Sequence, residues 1–233
     1  TKSVTIINDN DNPVQIDDFQ KFVDDVMDLY SKNVNDYYGM IDKDVKGNLA
    51  LLIGTISKIP GIERIRFTTS HPQAFDETLI EAYAPEQEKL CNHLHLPVQS
   101  GSNRILRNMK RDYTVEKYSE IIEDLRKKRP GLRVSTDIIV GFPGETDEDF
   151  EQTLALVDKI KFDISFSFIY SPRPGTPAGE IKDDVSPEVK KLRLQKLQSK
   201  LRDHADQIAD EMVGTVEKVL IEGASKKRNN EIS

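Results

Sequence analysis

The residues best suited to chemistry sit in three short loops, PVQSGS (97–102), GFPGET (141–146) and SPRPGT (171–176). Each follows an apolar, strand-like run. In a barrel of parallel strands such loops gather at the carboxyl end, where ligands bind, so a shared pocket is the simplest expectation. Two glycines in GFPGET let the backbone approach a ligand closely, and the helix start behind them offers N–H groups; a plain tight turn explains the same residues. Asp137 lies within the strand STDIIVG, where a carboxylate needs a partner or a task, and a structural hydrogen bond is the simpler account. Arg173, between two prolines, is either a guanidinium held stiffly for a carboxylate or phosphate, or a surface arginine.

His93 and His95 of HLHLP are read as facing opposite sides of the sheet, which argues against a joint metal site. His71 follows RIRFTTS and is either a substrate contact or a cap of the next turn. Cys91 is the single cysteine of the 233 residues. It excludes an intrachain disulfide, and any thiolate metal site built from this chain alone, and reads as a small buried hydrophobe.

The elements that must position these loops follow from periodicity. SVTII (3–7) alternates as a strand, and 16–31 carries apolar residues at helical spacing. A helix over 48–57 stops at Pro60-Gly61, a strand covers 64–69, and a helix covers 76–84. Strands at 94–98, 133–140 and 164–170 are separated by helices from Thr114 to Lys128 and from Thr146 onward. Strand and helix in strict order imply an α/β fold with a parallel sheet and at least four adjacent strands. Ser186 and Pro187 then open a long charged helix running to Gly214, and 215–233 reads as two strands beginning a small β module.

Net charge is −7, so nucleic-acid binding would need a local basic surface such as Lys226, Lys227 and Arg228. No apolar run approaches the about 20 residues of a membrane span. The start, TKSVTIINDNDNP, has neither a basic lead nor an apolar stretch, so the expected compartment is the cytoplasm.

IRFTTSHP, LHLPVQSGSNRILRNMKRDYT, STDIIVGFPGETDEDFEQTL and FSFIYSPRPGTPA together resemble the MiaB-type radical S-adenosylmethionine (SAM) methylthiotransferases over roughly residues 33–233. FTTSHP is more similar to the branch acting on isopentenyl-adenosine in tRNA than to the ribosomal-protein or threonylcarbamoyl-adenosine branches. The resemblance implies a partial parallel β/α barrel, with 1–47 an atypical barrel start, 48–185 the radical SAM-like barrel, 186–214 a connecting helix, and 215–233 a truncated, OB-like TRAM module for RNA. It implies SAM contacts at Gln99, Ser100, Gly141, Phe142 and Gly144. Asp137 and Arg173 would be polar anchors, and Tyr170 an aromatic wall or plain core packing. NVNDYYG (33–39) is similar to the family's GQNVN loop and brings in Asn33 and Asn35, although the strand expected before it reads as helix. The implied partner is the tRNA anticodon loop, met by a monomer without a membrane, and the implied cofactors are SAM and [4Fe–4S] clusters.

The CxxxCxxC motif that the family uses to hold a cluster does not occur in this sequence. Two readings follow: a fragment or degenerate copy of a tRNA methylthiotransferase, or a SAM- or RNA-binding remnant without radical chemistry. An unrelated partial-barrel enzyme for a phosphorylated metabolite accounts only for GFPGET. Since iron–sulfur clusters are held by several thiolates, anaerobic reconstitution of this chain with iron and sulfide is expected to yield neither the brown absorption of a cluster nor deoxyadenosine from SAM after reduction. A stoichiometric cluster with deoxyadenosine release would overturn that expectation.

Overall fold

The computed structural model describes residues 49–68, 71–216, 221 and 223, which fall into two compact units. The first includes residues 49–67 and 77–91. Its helix α1 (Leu49–Ile56) buries Ile53 and Ile56 and gives way at Gly61, where φ is +81°. Helix α2 (Glu77–Glu81) buries Leu79, and Tyr83 lies 6.1 Å from Phe67, both rings in the core. Ile65 bridges Leu90 in parallel.

The second unit, residues 68–76 and 92–214, carries the parallel sheet β1 (His93–His95), β2 (Arg133–Val140) and β3 (Ser165–Ile169), with β2 in the centre. His95 pairs with Ser135, and Asp137 with Phe166. This is the expected α/β architecture of a partial barrel with its loops at one end. The strand expected at 64–69 appears among the described residues as isolated bridges, among them the parallel pairs of Ile65 with Leu90 and Thr68 with His95. β1 is also shorter than its apolar run, because Pro97 has no N–H to give to the ladder. Thr136 fills the gap with its side chain: its hydroxyl oxygen accepts from Val98 N at 2.9 Å and its hydroxyl donates to Leu96 O at 2.9 Å.

One face of the sheet is covered. Helix α3 (Asn103–Asn108) follows β1, and α4 (Val115–Lys128) packs Tyr118, Ile121, Ile122 and Leu125 inward. Helix α5 (Asp147–Ile160) adds Leu154 and Val157. The Tyr118 hydroxyl donates to Leu96 O at 2.8 Å, and burial pushes that phenol upward in pKa. Thr114, Thr146 and Ser186 are N-caps as the sequence suggests. The short helix α3 was not expected, since NRILRN is mostly polar; Ser102 caps it. After β3 the chain makes a 3₁₀ turn, Pro177–Glu180, and enters α6 (Pro187–Met212), which lies along α5. Leu197 and Leu201 of α6 are buried, and Lys196 and Lys200 pair with Glu151 and Asp158 at 2.6 and 2.7 Å.

The capping box that opens α5 is part of a larger knot. Asp149 accepts from Thr146 N at 2.9 Å, from Ser102 Oγ at 2.6 Å and from Arg104. Burial works to raise the pKa of this carboxyl, but the hydrogen bonds from Arg104, Ser102 and Thr146 outweigh it and hold the group well below the usual carboxylate range. A depressed folded pKa contributes stability above the unfolded value of about 4, which is lost as pH falls through the folded value. Asp149→Asn is therefore expected to cost about 2–3 kcal/mol near neutral pH. Its gap to wild type should narrow below about pH 4, as read by thermal unfolding across pH. An equal gap at both ends of that range would remove the ionised carboxylate from the account.

Candidate functional site

β1 and β2 end side by side, and the loops leaving them form one hydrogen-bonded body. Gln99 takes a positive φ of 69°; its N–H donates to Asp137 O at 2.8 Å and its carbonyl accepts from Ile139 N at 2.9 Å. Its side chain is half-buried at the loop mouth. Ser100 turns inward, 2% exposed, with its oxygen accepting from Ser102 N at 3.2 Å and lying 3.5 Å from Thr153 Oγ1. Its hydroxyl is thus engaged with the protein. Arg104 reaches from α3 to Gly144 O at 2.5 Å while holding Asp149, which joins loop 97–102 to loop 141–146.

Loop 141–146 passes twice through left-handed backbone, at Gly141 (φ 70°) and Gly144 (φ 80°). Its amides are nearly all used within the protein. Gly141 N donates to the Glu145 carboxylate, Glu145 N to Phe142 O at 2.9 Å, and Gly144 N to Asp184 Oδ1 at 2.6 Å. Thr146 and Asp149 satisfy each other in the capping box. The N–H groups of Gly141, Gly144, Glu145, Thr146 and Asp149 are therefore occupied, and the loop presents carbonyls and an apolar wall. Phe142, 3% exposed, stands edge-on to Tyr170 with centroids 5.0 Å apart. Tyr170 is anchored at both ends, by its N–H to Val140 O at 2.9 Å and its hydroxyl to Ala178 O at 2.8 Å.

Gln99, Gly141, Phe142, Gly144 and Tyr170 are thus gathered at the carboxyl end of the sheet, with Asp137 within β2. Arg173 is exposed, and its carbonyl closes the third loop by accepting from Thr176 N at 3.3 Å and Thr176 Oγ1 at 2.8 Å. Asn33, Asn35, Lys226, Lys227 and Arg228 lie outside the described residues.

The two histidines need correcting. Side chains along a strand repeat every two residues, so His93 and His95 share one face rather than opposing each other. Ser135 Oγ lies 3.1 Å from His93 Nε2 and 2.9 Å from His95 Nδ1, and His95 Nε2 lies 3.6 Å from Asp137 Oδ2. An ionised carboxylate only accepts, so the three contacts are compatible with one direction: His93 Nε2–H to Ser135, Ser135 O–H to His95 Nδ1, and His95 Nε2–H facing Asp137. Phe166 flanks it, with its ring centroid 6.4 Å from that of His95. Among the described residues no group of three His, Cys, Asp or Glu could hold a metal ion. His71 takes the capping role: its Nδ1 accepts from Gln73 N at 3.3 Å, and burial lowers its pKa. Cys91 is half-buried.

Sequence reasoning missed the charges behind the loop. Glu145 is 7% exposed, and Arg193, reaching from α6, lies 3.6 Å from its carboxylate and donates to its carbonyl at 3.1 Å. Lys190 is 6% exposed, pairs with Asp183, and holds its ammonium 5.5 Å from the Tyr170 ring centre. On a helix this rich in lysine and arginine, nothing in the sequence marks these two as buried.

Burial pushes the Glu145 carboxyl up in pKa, and the Arg193 charge opposes that shift. In Arg193→Met the opposition is gone, so ionising Glu145 becomes more costly. A raised folded pKa means stability that is present at low pH and lost as pH rises through it. The destabilisation of Arg193→Met is therefore expected to grow by about 1–3 kcal/mol between about pH 5 and about pH 8. Adding Glu145→Gln should flatten the trend; chemical denaturation across pH measures both, and parallel profiles for wild type and Arg193→Met would contradict the pairing.

Known proteins resemble this chain over most of its length. The model of the Radical SAM superfamily matches residues 12–157. The tRNA-2-methylthio-N(6)-dimethylallyladenosine synthase of Legionella pneumophila (strain Corby) is 57% identical over 207 residues, which cover 89% of this chain and 46% of the relative. That of Coxiella burnetii (strain RSA 331 / Henzerling II) is 55% identical over 205 residues, covering 88% and 46%. The chain thus spans about half the length of these relatives. Among solved structures, coproporphyrinogen III oxidase of Escherichia coli aligns with a TM-score of 0.49 at 25% identity, over 57% of this chain and 31% of that one. With the family model matched from residue 12 to residue 157, across β1, β2 and the loops that leave them, the chain belongs to the radical SAM superfamily.

Proposed function

We propose that this chain is the SAM-binding barrel portion of a tRNA methylthiotransferase, a transferase acting on isopentenyl-adenosine next to the anticodon. The supporting observation is the meeting of the Phe142–Tyr170 pair with loops 97–102 and 141–146 at one end of a parallel sheet. An adenosyl group fits such a site: an uncharged planar ring suits an aromatic wall, and ribose hydroxyls suit the half-buried Gln99 and backbone carbonyls. Arg173 would answer the carboxylate of the methionine part. Gly144 must stay glycine for the φ of 80° that turns the loop. Gly141, Phe142 and Tyr170 line the ring, and Asp137 acts as an anchor through its link to His95. Ser100 supports the loop from behind. Asn33 and Asn35 belong to the reading through resemblance alone.

A [4Fe–4S] cluster does not fit this chain's own residues, since one cysteine cannot supply the thiolates. That mismatch favours a second reading, a SAM- or RNA-binding protein without radical chemistry.

The domain reading is 1–47 as an atypical barrel start, 48–185 as barrel, 186–214 as connecting helix and 215–233 as the beginning of a TRAM-like module. Lys226, Lys227 and Arg228 would meet tRNA phosphates there. We place the protein in the cytoplasm as a monomer; no helix among the described residues is long and apolar enough to cross a membrane.

Titration calorimetry with SAM tests the pocket. Wild-type chain is expected to bind, and Gly144→Val and Arg173→Ala each to weaken binding at least about tenfold, or about 1.4 kcal/mol, with the unfolding temperature of Arg173→Ala unchanged. Equal affinity in both variants would take these residues out of the site, and a wild type that binds no SAM would refute the pocket.

A further inference from the structure

Loop 141–146 has no ladder of its own to select its doubly left-handed path, so its conformation must be imposed from outside. α3 reaches its Gly144 carbonyl through Arg104, and α6 reaches both of its ends. The methylene stem of Lys190 lies against Gly141, filling the space that a Cβ there would need, while Lys190 Nζ sits over the Tyr170 ring. One turn further on, Arg193 Nη1 donates to Glu145 O at 3.1 Å and faces the Glu145 carboxylate, which in turn holds Gly141 N–H. Its Nη2 donates to Asp147 Oδ1 at 2.7 Å. The helix therefore grips the first residue of the loop through Lys190 and its far end through Arg193.

Buried cations are costly unless paired, and a helix that only had to pack would use apolar residues. α6 does so in its middle with Leu197 and Leu201, before the buried His204, which faces Asp158 at 3.3 Å. Its two buried cations occur only where it crosses the loop. Neither extends a polar group to the mouth of the site: Lys190 is spent on Asp183 and Tyr170, Arg193 on Glu145 and Asp147.

We infer that Lys190 and Arg193 are positioning residues for the adenosyl-binding loop, setting the path of Gly141 to Glu145 and the stance of Phe142 and Tyr170 without touching the ligand. This rests on the reading of that loop as an adenosyl site. Lys190 acts mainly by its stem and its cation over Tyr170, Arg193 by its charge and its fork of donors.

Two measurements on the full 233-residue chain test it: affinity for S-adenosylhomocysteine, which carries the adenosyl group without a sulfonium charge, and amide hydrogen exchange across residues 141–146. Arg193→Met and Lys190→Ala should each weaken affinity about tenfold or more and speed exchange at Gly141 and Glu145. Arg193→Lys, which keeps the charge, and Lys190→Met, which keeps the stem, should fall between these and wild type. Lys196→Met, on the same helix but paired with the exposed Glu151, should change neither quantity. The double variant Glu145→Gln/Arg193→Met, free of the unpaired buried carboxylate, keeps the test open if Arg193→Met alone does not fold, and the same faster exchange and weaker binding are expected of it. Unchanged exchange and affinity in Lys190→Ala and in the double variant would overturn the inference. Faster exchange in the variants with no wild-type binding of S-adenosylhomocysteine would instead overturn the adenosyl reading and leave the grip on the loop standing.

Discussion

Asp149 accepts hydrogen bonds from three residues on two separate pieces of chain, and the arrangement of the whole loop end follows from that. Thr146 N–H comes from the start of its own helix, the Ser102 hydroxyl from the end of loop 97–102, and the Arg104 guanidinium from α3. Because the carboxylate is 4% exposed, each missing donor would leave a buried charge undersatisfied, so all three must be in place together. Arg104 then carries the constraint onward to Gly144 O, at 2.5 Å. Two loops separated by some forty residues in the chain are thereby held in one register.

A second charged knot, around Glu145, works from the other side. Its carboxylate closes the loop on Gly141 and meets Arg193 of α6, so that helix and loop share one electrostatic arrangement. Asp149 fixes the loop against α3 and its cap Ser102, Glu145 against α6. Between them, Phe142 and Tyr170 are left with defined orientations, edge to face with centroids 5.0 Å apart.

The sheet divides its two faces sharply. On one, Val134, Thr136, Ile138 and Val140 of β2 are buried beneath helices. On the other lie His93, His95, Ser135 and Asp137, joined through Ser135 and His95, with Phe166 and Phe168 of β3 each about half exposed. A polar chain beside half-exposed aromatic rings is unlike the packed core on the other face.

Local patterns carried much of this in the sequence. Thr146 followed by acidic residues announced the capping box of α5, Pro187 announced the first turn of α6, and the run RVSTDIIV announced the central strand, because caps, proline and apolar runs act within a few residues of themselves. Periodicity also contained the common face of His93 and His95, a two-residue spacing that the opposite-face expectation misjudged. What only the tertiary structure decided depends on partners distant along the chain. Ser100 turns towards Thr153, the amides of loop 141–146 meet Glu145 and Asp184, and Lys190 and Arg193 become buried cations. Whether a lysine on a charged helix is solvated or spent against a glycine some fifty residues earlier is set by which elements pack together, and residue types along one helix carry no record of that.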